Sequence, residues 1–150
     1  MTDPPLRPAR ILVVDDDPDD IHLLSAALGR IGTAPTVTSA PSGDEALRRL
    51  LDTQALPDLV LLDLKMRGMT GFEVLDAIRG HPRLAGLRVV VLSGSERDAD
   101  RTEAIARGAD AYLVKPSGTL ALAELAKTLE RTWLHGVRHD TGRHPPPKRP

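Results

Sequence analysis

Three short runs in this chain are apolar at every position: Ile11-Leu12-Val13-Val14, Leu59-Val60-Leu61-Leu62 and Val89-Val90-Val91-Leu92. A strand with one wet face alternates apolar and polar residues. A strand that is apolar throughout must be covered on both faces, as in a parallel sheet between two layers of helices. Two further runs, Pro35 to Ser39 and Ala111 to Val114, complete a set of five.

Helical patterns fill the gaps between runs. Ile21, Leu24, Leu28 and Ile31 form one stripe from Asp19 onward, and Gly32 ends it. Ser42-Gly43-Asp44-Glu45 reads as a capping box opening the second helix. The third helix is expected from about Gly71 to Arg79, and the fourth from an N-cap at Ser95 to Gly108. The fifth places Leu122, Leu125, Ala126, Leu129 and Trp133 on one stripe, with Leu120, Ala123, Lys127 and Leu134 opposite. Strand and helix alternating five times implies a doubly wound α/β fold, and the flavodoxin-like order 2-1-3-4-5 is the common five-stranded solution.

The composition narrows the function. Phe72, Tyr112 and Trp133 are the only aromatics, so Leu, Val, Ile and Ala must build the core. There is no cysteine, which removes disulfides, thiolate catalysis and zinc–thiolate sites. Net charge is -1, so no basic field favours nucleic acid or membrane. No apolar run is long enough to span a membrane, and residues 1–10 lack the apolar stretch of a signal peptide. A cytoplasmic location is therefore expected. Residues 1–8 and the Pro-rich, basic residues 136–150 are expected to be disordered, leaving one domain over residues 9–135.

In a doubly wound sheet the carboxyl ends of the strands converge on one edge. Strand one runs into Asp15-Asp16-Asp17, strand three into Asp63, strand four into Ser93 and strand five into Lys115-Pro116. Carboxylates at Asp15, Asp16 and Asp63 would repel one another, and a hard divalent cation relieves that conflict. Oxygen ligands and water are what Mg²⁺ prefers. Asp63 can act as a nucleophile toward phosphorus, with the ion and Lys115 stabilising the oxygens that gain charge. Ser93 can donate a hydrogen bond to the bound phosphoryl group. Asp19 and Asp20 read as a pair that complements the helix dipole.

These residues resemble the response-regulator receiver family, over about Arg10 to Trp133. Val13-Val14-Asp15-Asp16, Leu61-Leu62-Asp63-Leu64 with Met66 and Gly71, then Ser93, Tyr112 and Lys115-Pro116 carry the resemblance. It implies that Asp63 accepts a phosphoryl group from the phosphohistidine of a histidine kinase. It implies Mg²⁺ bound by Asp16, Asp63 and the backbone carbonyl of Lys65, with Asp15 acting through water. It also implies a cis Lys115–Pro116 bond, a switch pair of Ser93 and Tyr112, and repacking of the face formed by helix four, strand five and helix five. Tyr112 would turn inward after phosphorylation. Lys65 and Ser95 stand at variable positions that tune phosphoryl lifetime in the family. Arg67 replaces a common proline, so the loop after Asp63 is expected to be looser.

A narrower likeness lies in Asp16-Asp17-Pro18-Asp19-Asp20-Ile21, Arg79-Gly80-His81-Pro82-Arg83-Leu84 and Val91-Leu92-Ser93-Gly94-Ser95. These segments are similar to single-domain regulators paired with phytochrome-type histidine kinases. With no output domain expected, the signal would leave by protein contact, including a homodimer through the helix-five region. Onward relay to a histidine phosphotransfer protein is the alternative. An aspartyl phosphatase is disfavoured because Lys65 stands where a second acid is needed. A pseudo-receiver is disfavoured because no acid and no lysine is missing.

Overall fold

A computed structural model of the protein describes residues 7–134. Five parallel strands, β1 (Arg10–Val14), β2 (Thr36–Ala40), β3 (Leu59–Leu62), β4 (Val89–Ser93) and β5 (Ala111–Val114), lie in the order β2-β1-β3-β4-β5. Five helices connect and follow them: α1 (Pro18–Leu28), α2 (Gly43–Asp52), α3 (Gly71–Gly80), α4 (Asp98–Ala106) and α5 (Thr119–Leu129). This is the doubly wound architecture that the apolar runs imply.

Alternation along the strands divides the core. Leu12, Val14, Val60, Leu62, Val89 and Val91 face α2, α3 and α4, where Leu50, Leu75 and Ile78 meet them. Ile11, Val13, Leu59, Leu61, Val90 and Leu92 face α1 and α5, where Leu24, Leu28 and Leu129 pack. With both faces dry, a one-residue slip of a central strand changes which side chains meet which helices, so packing holds the register. That register pairs Val14 with Leu62 and Ser93 with Val114, which brings the functional strand ends level.

Several local details differ from the sequence reading. Asp17 caps α1 by accepting from the Asp19 N–H at 2.9 Å. Thr70 and Glu73 form a complete capping box at α3. Ser95 does not cap α4, which begins only at Asp98; its hydroxyl instead accepts from the Arg97 N–H in the preceding turn. Beyond α5 the chain winds into a π turn, Glu130–Leu134. The wider turn rotates the following residues relative to an α-helix, and Leu134, expected on the outer face of helix five, is buried with Trp133 in the second core.

Arg7, placed by the sequence reading in a flexible terminus, is held by Asp58 through hydrogen bonds of 2.7 and 2.6 Å. The expectations for residues 1–6 and 135–150 lie outside the described residues. Arg79 and Arg83, part of the narrower likeness, tie backbone together. Arg79 donates to the carbonyls of Gly108, Ala85 and Leu87, and Arg83 donates to those of Leu50, Leu51 and Thr53 at the end of α2.

Candidate functional site

Hydrogen bonds of the sheet run past the strand ends and fix the residues that follow. The Asp63 N–H donates to Val14 O at 3.0 Å, Asp15 N–H to Ala40 O at 3.2 Å, and Lys115 N–H to Ser93 O at 2.8 Å. Four apolar residues buried on both faces therefore hold Asp63 rigidly at its place. Gly71 lets α3 approach from behind: a Cβ there would lie 2.3 Å from Asp63 O and 2.7 Å from Leu64 Cα.

Asp15, Asp16 and Asp63 each offer one carboxylate oxygen within 4.8 Å of the others. Lys115 Nζ donates to Asp15 at 2.7 Å and lies 3.4 Å from Asp63. Asp63 is 7% exposed, and burial pushes its carboxyl up to about 6, against the opposing charge of Lys115 and with the support of Asp15. The nearby Lys65 backbone N–H also favours the ionised form. Burial would lower the Lys115 ammonium, but its hydrogen bonds to Asp15 and Asp20 and the charge of Asp63 outweigh burial and raise it. The pocket is thus rich in oxygen and short of positive charge. Its donor set fits a hard divalent cation held by carboxylates, and nothing in it suits a soft metal.

Ser93 is fully buried at the end of β4, and its Oγ accepts from the Ser95 N–H at 3.3 Å. Tyr112 is turned inward: it is buried, its hydroxyl donates to Ser95 O at 2.7 Å, and the Arg101 guanidinium lies 4.9 Å from the ring centre. Lys65 directs its ammonium toward Asp100, 3.5 Å away. The Lys115–Pro116 bond is trans, contrary to the expectation, since the described residues contain no cis peptide. Trans is favoured by about 0.5–1 kcal/mol for such a bond, and Lys115 reaches the carboxylates from that isomer.

Two residues of the pocket were not expected there. Asp20, read as a helix-dipole residue, accepts from Lys115 Nζ at 2.8 Å. The Arg67 N–H donates to Asp16 at 3.0 Å and its Nε lies 3.4 Å from the same oxygen, which lowers the Asp16 carboxyl, the backbone bond contributing most. A proline at position 67 could not make that backbone bond, so the loop here is fastened by the residue that was expected to loosen it.

The model of the response regulator receiver domain matches residues 11–127. The chain belongs to the response regulator receiver family. This receiver is 39% identical over 117 residues to an uncharacterized 14.6 kDa protein of Leptolyngbya boryana, covering 78% of this chain and 86% of that one. It is 41% identical over 112 residues to the nitrate/nitrite response regulator NarL of Escherichia coli, but spans only 49% of NarL. Among solved structures, the phosphorylated cyanobacterial phytochrome response regulator RcpA is similar, with TM-score 0.80 and 30% identity over 86% of this receiver and 96% of RcpA. The Mn²⁺-bound form of response regulator Rcp1 gives TM-score 0.77 and 28% identity, over 87% of this chain and 97% of that one. Among the described residues, no helix of the receiver is long and apolar enough to cross a membrane.

Proposed function

We infer that this receiver is a phosphorylation switch in which Asp63 takes a phosphoryl group from a histidine kinase. One observation carries the reading: a buried carboxylate at the end of a fully buried strand lies 3.4 Å from a lysine ammonium, with two further carboxylates grouped around it. Asp16, Asp63 and the Lys65 carbonyl would hold Mg²⁺, with Asp15 contacting it through water. When bound, the ion supplies positive charge opposite the phosphoryl oxygens.

In transfer, an Asp63 oxygen attacks phosphorus in line with the bond to the kinase imidazole. That P–N bond breaks, its electron pair returns to the imidazole, and Asp63 becomes an acyl phosphate. Asp63 must be ionised to attack. Lys115, tied to Asp15 and Asp20, is already directed toward the developing charge. Ser93 then donates to the new anion. A near-complete shift between two states needs about 5.5 kcal/mol of differential stabilisation. A hydroxyl hydrogen bond contributes roughly 0.5–1.5 kcal/mol, more when charge-assisted, so Lys115 must share the work. Tyr112, bonded to Ser95 O, holds the β4–α4 loop beside Ser93, its partner in the switch.

The likeness to the phytochrome response regulator RcpA supports a phytochrome-type histidine kinase as the partner. Leu23 supports docking on α1: it is 47% exposed and lines a cleft together with Asp20, Lys115 and Pro116. Self-association through α5 rests on Leu120, at 79% the most exposed large apolar residue among the described residues, because Leu134 is buried. Acetyl phosphate with Mg²⁺ tests the core of the reading, since it should add one labile phosphoryl group to the protein.

A further inference from the structure

Asp100 stands in the first turn of α4 yet is only 8% exposed, where a first-turn carboxylate ordinarily faces water. Its Oδ2 accepts from Ser95 Oγ at 2.5 Å and lies 3.5 Å from Lys65 Nζ. The Ser95 bond, with the nearby Lys65 charge, holds its carboxyl below the usual range. Lys65 and Ser95 both adjoin the phosphoacceptor pocket: Lys65 follows Asp63 by two residues, and the Ser95 N–H donates to Ser93 Oγ. Their side chains end on Asp100, which is not one of the grouped carboxylates.

We propose that Asp100 sets how long a phosphoryl group stays on Asp63, by drawing the Lys65 ammonium away from it. The proposal rests on Asp63 being the phosphoacceptor. Loss of the group is a hydrolysis: a water oxygen bonds to phosphorus, the P–O bond to Asp63 breaks, its electron pair returns to the carboxylate, and a proton goes to solvent. The phosphoryl group carries nearly two negative charges, which compete with Asp100 for Lys65. While Asp100 keeps the ammonium, the outer side of phosphorus stays open to water. Once released, Lys65 pairs with the phosphoryl oxygens and covers that approach. Asp100 is therefore a positioning residue that acts through Lys65, and it bonds α4 directly to the loop after Asp63.

The test uses the full chain, labelled with acetyl phosphate and Mg²⁺, freed of donor, and followed by intact mass as the acyl phosphate decays. Wild type, Asp100→Asn, Lys65→Met and the double variant are compared. The proposal expects Asp100→Asn to slow decay about threefold or more, and expects that effect to vanish when Lys65→Met is present. If Asp100→Asn does not fold, Asp100→Ser, which keeps a polar side chain in the helix's first turn, gives the same comparison. A residue that merely supports α4 would alter decay whether or not Lys65 is present. Unchanged decay in the Asp100 variant, or equal slowing in both backgrounds, overturns the proposal. A wild type that takes no label overturns the phosphoacceptor reading itself, and the proposal with it.

Discussion

Lys115 Nζ lies 3.4 Å from the Asp63 carboxylate while making shorter contacts of 2.7 and 2.8 Å to Asp15 and Asp20. One ammonium is shared among three acids, with Asp16 turned instead toward Arg67. The site is therefore short of positive charge, and its response to ions and protons follows from that deficit.

Divalent cations should stabilise the fold. An ion that binds only the folded state adds on the order of 1–3 kcal/mol at roughly ten to a hundred times its Kd. A rise of several degrees in Tm is expected with millimolar Mg²⁺, and most of it should disappear in Asp16→Asn. Thermal unfolding followed by circular dichroism measures both, and an equal rise in the two proteins would count against the site.

Proton binding gives a second expectation. Asp63 has its carboxyl raised from 3.8 to about 6, so the folded state holds the proton more tightly than the unfolded chain. The stability this provides is fully present below 3.8 and is lost as pH rises through about 6. Without divalent ions, the urea midpoint should carry a downward component across that window, absent in Asp63→Asn. Mg²⁺ should bind less well toward the acid end of the window, because it competes with the proton. An identical pH profile for the two proteins would contradict the burial argument.

Gly71→Ala tests how the phosphoacceptor loop is held. The added methyl would meet backbone atoms of Asp63 and Leu64 at 2.3 and 2.7 Å, which only a backbone shift can relieve. Overpacking of this kind costs roughly 1–3 kcal/mol. Denaturant unfolding should show a loss of that size, and phosphorylation by acetyl phosphate should slow. Wild-type stability would mean that α3 can move away freely.

Leu23→Lys addresses the kinase. It should slow transfer from a phosphorylated kinase and leave labelling by acetyl phosphate unchanged, because Leu23 lies on the cleft beside the pocket and not among its carboxylates. Slowing with both donors would point to general damage.

Much of the fold and the site is legible in the sequence because each strand-end residue follows directly on a run whose burial the sequence declares. Asp15, Asp63, Ser93 and Lys115 are placed by β1, β3, β4 and β5 in this way. Asp20, Arg67 and Asp100 are different. Their roles come from contacts between distant segments, such as Asp20 with Lys115 and Arg67 with Asp16, which no local pattern announces. Their alternative reading as solvated charges is locally just as good. Leu134 departs from its expected face for another reason: a helical stripe extrapolated at constant pitch fails once the chain enters the π turn after Leu129. α4 starts later than the sequence suggests because Ser95 satisfies the preceding turn and Asp100 instead of a helix end.

The central claim is that Asp63 alone receives the phosphoryl group. Intact-mass measurement of wild type and Asp63→Asn after incubation with acetyl phosphate and Mg²⁺ tests it most directly. One added phosphoryl group on the wild type, labile to hydroxylamine, and none on Asp63→Asn is the predicted result. Equal labelling of both proteins would contradict it.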